Sequence, residues 1–253
     1  MPKFTGERRA IAAAALAFYA FVYVIFGMLV PPEWSRAFTA LGFVYGLGFF
    51  AIVAGYFWAR WYAVGVALSG VISTAVSIWQ MGPEPVLLFV GGTHALIALA
   101  LLGKGMAELF DGRDAWRARF HMDEHAANRL GNAVIRLGVS LPFVLLYALA
   151  PKDGAATAAL GVAALTLTAV SLAGLVRLKT WGVLALGGGT VALGGAVVSG
   201  MGACGRTCPA VAASTSGQLT TISNLLAVVA VALLAVAAAS FLPALGRALR
   251  GAR

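Results

Sequence analysis

The sequence predicts an all-α polytopic membrane protein, and three observations carry that prediction. First, 61% of the residues are hydrophobic and 11% charged, with a mean hydropathy of +0.91. A soluble chain of 253 residues needs far more charge to cover its surface. Second, the apolar residues come in runs of about 20, the length that crosses a hydrocarbon layer about 30 Å thick. Third, Lys and Arg cluster at alternate ends of those runs, as the positive-inside rule requires. The net charge of +9 therefore marks one membrane face and does not point to nucleic acid.

Eight transmembrane helices are expected, near 10–30, 37–58, 62–80, 85–103, 131–150, 155–176, 181–199 and 222–242. The first run follows Arg8-Arg9 as a signal peptide would. It is too long for a signal h-region and no A-x-A site follows it, so it reads as an uncleaved first span. Pro31-Pro32 separates the first two spans, Gly82-Pro83 the third and fourth, and Pro151 the fifth and sixth. The Gly- and Ser-rich stretch 200–217 precedes the last. With the N-terminus in the cytoplasm, fifteen of the 18 Lys and Arg fall inside, leaving Arg36, Lys152 and Arg206 outside. The expectation is a bacterial-type inner (plasma) membrane protein with both termini cytoplasmic. Trp34 and Trp79 fall at outer helix ends and Trp58, Trp61 and Trp181 at inner ones, where an indole suits the headgroup boundary.

A shift of 119 residues superposes landmarks: Pro32 on Pro151, Gly42 on Gly161, Ala54-Gly55 on Ala173-Gly174, and Arg60 on Lys179. The third span carries Ser69, Ser73 and Ser77 on one helix face, and the same shift places Gly188, Ala192 and Ala196 in the seventh. The pattern predicts two four-helix bundles from a tandem repeat, alike in orientation and related by an axis along the membrane normal. The domains are then a first transmembrane half over 1–103, a cytoplasmic charged amphipathic linker over 104–130, and a second half over 131–253. The second half holds an extracytoplasmic cysteine loop over 200–221.

Few residues offer chemistry. In the linker, Met106 and Phe110 are four apart, as are Trp116 and Phe120, among Arg113, Arg117 and Arg119. A helix here would rest on the inner leaflet with its arginines on anionic lipid headgroups, or dock a membrane or cytoplasmic protein partner. His121 and His125 share a helix face and could bind a metal, but Glu124 is not placed as in HExxH, and a solvated polar face accounts for them better. His94, in Gly91-Gly92-Thr93-His94, sits mid-span, where an ionisable side chain faces other helices or a wet cavity. Cys204 and Cys208 lie in the outer loop, where a disulfide persists; two soft sulfur ligands also suit Cu(I). Ala67-Leu68-Ser69-Gly70 with His94 does not make a serine–histidine protease, because the position two before the serine is not glycine.

No catalytic residue and no cofactor is predicted. The sequence reads as a non-enzymatic membrane protein, permease-like or a supporting subunit of a membrane assembly, with His94, Ser69, Ser73 and Ser77 lining any ligand site. The alternative is a redox or copper-handling protein worked by Cys204 and Cys208. Transport demands a polar, wet cavity between the halves, whereas a supporting role predicts a dry and closely packed interface.

Overall fold

The computed structural model describes residues 4–110, 124–152, 154–204 and 215–243. Among the described residues the chain is all-helical, in nine helices. They are α1 (Thr5–Leu29), α2 (Pro32–Ala54), α3 (Ala59–Met81), α4 (Pro85–Leu101), α5 (Lys104–Phe110), α6 (Glu124–Leu149), α7 (Ala155–Val176), α8 (Trp181–Cys204) and α9 (Thr215–Ala239). Seven are long and apolar enough to cross a bilayer. The exception among the expected spans is α4, which has 17 residues and turns through 71° into α5. Gly103, at φ 104°, forms the elbow, a conformation that costs other residues a steric clash.

Local signals set the helix ends. Pro32 and Pro85 occupy the first helical positions of α2 and α4, where a missing N–H costs nothing. Gly55 ends α2 in the left-handed region, its N–H returning to Ala51 and Ile52. At the start of α1, Arg9 donates to the last carbonyls of α2, from Nε to Ile52 O at 3.1 Å and from Nη2 to Val53 O at 2.8 Å. Arg8 donates to Leu99 O (3.1 Å) and to Leu102 O at the end of α4. A guanidinium at a helix C-terminus satisfies orphan carbonyls and opposes the helix dipole. These contacts place the start of α1 beside the ends of α2 and α4.

Each half is a ring of four helices. In the first, α1 packs on α2, α2 on α3, α3 on α4, and α4 on α1; in the second the order α6, α7, α8, α9 closes on α6. The halves meet chiefly where α3 packs on α6, with α2 on α6 and α9 on α3 at the flanks. Glycine sets that approach. A Cβ on Gly65 would strike the Ile135 carbonyl and lie 2.9 Å from Gly138 Cα. Gly131, one turn before Ile135, faces the Trp61 indole. Tyr62, Ala63 and Val66 of α3 and Ala133, Val134 and Leu137 of α6 have no surface exposed, and the Tyr62 hydroxyl donates to the Val44 carbonyl of α2 at 3.1 Å. Small residues let helix backbones touch where lipid removes the usual hydrophobic drive. The outer surface is apolar: Phe21, Phe43, Phe50, Leu99, Leu184 and Val191 are each more than 60% exposed. A belt of that kind needs hydrocarbon around it.

Three expectations change. The fifth span begins at Glu124, so residues 124–130 of the expected linker are the first turns of α6. Met106 and Phe110 are buried against the protein, on α5 beside α1 and α3, and not in lipid. The Arg9 guanidinium lies 5.6 Å from the Phe110 ring centroid. Trp34 (1% exposed) and Trp61 (5%) are buried among helices, whereas Trp79 and Trp181 are exposed at helix ends. Arg113, Arg117 and Arg119 lie outside the described residues.

Candidate functional site

The first bundle encloses a polar cluster built around His94, which has no exposed surface. Two glycines make room for it. A Cβ on Gly70 of α3 would fall inside the imidazole, and a Cβ on Gly91 of α4 would come 2.8 Å from Thr74 Cγ2. Without those side chains α3 and α4 close together, and the His94 ring fills the gap.

Both ring nitrogens have partners. Nδ1 lies 2.7 Å from the Val90 carbonyl, an acceptor only, so Nδ1 carries the proton. Nε2 is then left to accept the Tyr45 O–H at 2.7 Å. The Tyr45 hydroxyl also meets the side chains of Tyr23 and Ser69, and the Ser69 hydroxyl donates to Val66 O at 2.7 Å. Tyr19 covers the other side: its ring centroid is 4.1 Å from that of His94, and its hydroxyl bonds to Thr93 Oγ1. Thr93 in turn donates to the carbonyls of Phe89 (2.8 Å) and Val90 (3.0 Å). The cluster therefore draws Tyr19 and Tyr23 from α1, Tyr45 from α2, Ser69 from α3, and Thr93 and His94 from α4.

This arrangement satisfies every polar atom of His94 without a charge. A buried polar group in hydrocarbon must be partnered or it costs several kcal/mol. It is a hydrogen-bonded brace across four helices, and the order Tyr23, Tyr45, His94 is a continuous chain of exchangeable protons. Metal binding through Nε2 would require the lone pair that the Tyr45 hydroxyl occupies. Nor does the cluster meet the apolar groove of about 450 Å³ on the outside of α1 and α2. That groove is lined by residues including Ala20, Phe21, Gly42, Phe43, Gly46 and Phe50.

Of the residues singled out from the sequence, His94 and Ser69 belong to the cluster. Ser73 and Ser77 lie one and two turns further along the same face of α3 and are half-buried. His125 is exposed near the start of α6, and its carbonyl accepts from Arg129 Nε at 3.3 Å; His121 lies outside the described residues. Among the described residues, no group of three or more His, Cys, Asp or Glu is placed to hold a metal. Cys204 is the last residue of α8, and Cys208 lies outside the described residues, so their pairing does too.

Sequence reasoning missed the tyrosines. Tyr19 and Tyr23 are four apart on α1, and Tyr45 is mid-way along α2. A phenol buried mid-span needs a partner for its hydroxyl, and that requirement was the available signal. In the second half, by contrast, the buried hydroxyls of Ser140, Ser171 and Ser223 make no hydrogen bond among the described residues. Compared with protein-family models, with curated proteins and with solved structures, the chain matches none of them.

Proposed function

We propose that this protein is a non-enzymatic, eight-span subunit of the bacterial-type inner membrane that braces a larger membrane assembly. The observation that carries this reading is the seam between the halves. At Gly65 and Gly138 the backbones of α3 and α6 touch, and Val66, Val134 and Leu137 next to them are fully buried. Alternating access requires the halves to part around a site near mid-membrane, and a dry, backbone-to-backbone contact opposes it. His94 agrees, because its ring is spent on internal bonds.

The eight-span count takes α4 as a short span that continues after its bend into α5; at 17 residues it is at the lower limit for crossing. The cytoplasmic placement of both termini rests on the distribution of Lys and Arg. A division into two halves, the second opening with α6 at Glu124, is supported by the matching order of helices in the two rings.

Cysteine access tests the seam. In a background with Cys204 and Cys208 replaced by serine, Leu137→Cys is expected to resist a water-soluble maleimide in intact membranes, and Arg177→Cys to react in inside-out vesicles. Labelling of Leu137→Cys would reveal a wet path and restore the permease reading. The bracing role itself is tested by extracting the full chain in polymer-bounded native lipid discs. A stoichiometric membrane partner is expected beyond the chain's own 26.0 kDa. Recovery of the chain alone from its native membrane would refute that role.

A further inference from the structure

The first half of α6 carries a polar stripe that neither the His94 cluster nor the seam uses. His125, Asn128, Arg129, Asn132 and Arg136 follow the spacing of a single helix face, within an arc of about 100°. His125, Asn128 and Asn132 are exposed, and Arg129 and Arg136 are half-buried. The opposite face, with Ala127, Leu130, Ala133, Val134 and Leu137, is buried. Further along, the stripe's own face is covered too, since Val139 is 4% exposed and Phe143 not at all. The neighbouring helices thus leave this face open only along its first three turns.

Its depth is fixed by a neighbour. Gly131, midway along the stripe, abuts Trp61 at the start of α3, the end of that span which carries Arg60 and which the distribution of Lys and Arg puts on the cytoplasmic side. Arg136 lies five residues deeper, about 7.5 Å along the axis. The stripe therefore runs from the aqueous side through the headgroup layer to the top of the acyl region. Two guanidiniums and two carboxamides face outward there without a carboxylate in the stripe. Only Arg129 Nε is committed to its own helix, leaving the rest of that guanidinium to reach outward. A cation below the headgroups must draw an anion or water down to itself.

We infer that this stripe is a binding site for the phosphate groups of anionic phospholipids in the leaflet at this end of α6. The guanidiniums pair with lipid phosphates, and Asn128 and Asn132 donate to the neighbouring ester and glycerol oxygens. The site rests on the chain spanning a bilayer; it is independent of the bracing role and of the arginines at 113, 117 and 119.

The test uses the full chain in vesicles of phosphatidylcholine, with spin-labelled phosphatidylglycerol or spin-labelled phosphatidylcholine as the probe. The motionally restricted lipid component is expected to favour phosphatidylglycerol over phosphatidylcholine by several-fold. An exposed arginine accounts for up to roughly fivefold at low salt, so R129Q/R136Q should lower the ratio several-fold, leaving only what the chain's other arginines contribute. R129K/R136K, which keeps the charge, should retain most of the preference, and N128A/N132A should lose part of it. Unchanged far-UV circular dichroism shows that the variants remain folded. Equal association of the two lipids with wild type, or a preference left unchanged by R129Q/R136Q, would overturn the site. So would an acidic protein that co-purifies through these arginines while no lipid preference exists. Absence of a restricted component for either lipid would instead strike at the membrane reading beneath it.

Discussion

Gly65→Ala is the sharpest perturbation of the seam, because it adds one methyl where two backbones meet. The new carbon would press on the Ile135 carbonyl oxygen and lie 2.9 Å from Gly138 Cα and 3.0 Å from its carbonyl carbon. None of these atoms can swing aside as a side chain would, so α3 and α6 must move apart. The cost falls on the contacts of Tyr62, Val66, Val134 and Leu137, all fully buried in the seam. Overpacking of this kind costs about 1–3 kcal/mol. Against it stands the better helix propensity of alanine, up to about 1 kcal/mol. The net expectation is a loss of about 1–2 kcal/mol. Gly46→Ala is the control: its Cβ would meet nothing within 4 Å, so the propensity gain stands alone and stability is kept or rises. Reversible unfolding in mixed dodecylmaltoside and dodecyl sulfate micelles, followed by tryptophan fluorescence, compares the two. A Gly65→Ala protein as stable as Gly46→Ala would show that the halves do not rest on each other's backbone, and the dry seam would fail as a reason against transport.

Other expectations follow from the same geometry. Gly70→Ala forces the His94 ring from its slot and breaks both of its hydrogen bonds, so it should destabilise by more than Gly65→Ala in the same assay; equal or smaller loss would mean that the ring has another place to go. Tyr45→Phe and His94→Phe should be coupled in a double-mutant cycle by roughly 0.5–2 kcal/mol, the range for hydrogen bonds between membrane helices, and strict additivity would deny the bond. Ser223→Ala removes a buried hydroxyl that has no partner among the described residues and should be neutral or stabilising by up to about 1 kcal/mol; a clear loss would reveal a bonded role. Arg9→Gln should lower stability by about 1–2 kcal/mol through the end of α2 and the Phe110 ring, with Arg9→Lys intermediate. If Cys204 and Cys208 form the disulfide expected of an extracytoplasmic loop, alkylation of both should require prior reductant in intact-mass spectra, and labelling without reductant would exclude the bond.

The helical architecture was legible because composition and run length act locally: each stretch of about 20 apolar residues must satisfy its own backbone. The breaks at Pro31-Pro32 and Gly82-Pro83 were marked for the same reason, although the second span runs over Pro32–Ala54 and not over 37–58. His94 stood out because a lone ionisable group in a span is conspicuous. What surrounded it did not, since Tyr19, Tyr23 and Tyr45 count as apolar in any hydropathy measure and become polar only when helix packing brings their hydroxyls together. Trp61 was expected at the headgroup boundary by the same kind of averaging, yet Gly131 receives its indole within the protein. Arg8 and Arg9 were read only as charges flanking the first span. The hydrogen bonds of Arg8 and Arg9 to the ends of α4 and α2 depend on a tertiary arrangement that charge counting cannot contain.

The tandem-repeat reading meets its hardest test at the seam itself. If the halves were related by a two-fold axis, the packing of α3 on α6 would be matched by α8 on α1; those helices do not pack along one another. On the 119-residue register the reason is visible in the residues. Gly65 corresponds to Leu184, which is 69% exposed on the outer surface, and Gly138 corresponds to Tyr19, which lies against His94. The positions that let one pair of helices touch are filled, in the other pair, by a leucine facing outward and a phenol turned inward. Tyr45 and Ser69 likewise correspond to Ala164 and Gly188, so the second half has no counterpart of the polar brace. Two helix rings that meet chiefly where α3 packs on α6 keep two unlike faces unpaired, the α1 side of the first ring and the α8 side of the second. A protein that braces an assembly needs such non-equivalent faces, and a permease rocking about a symmetric axis does not.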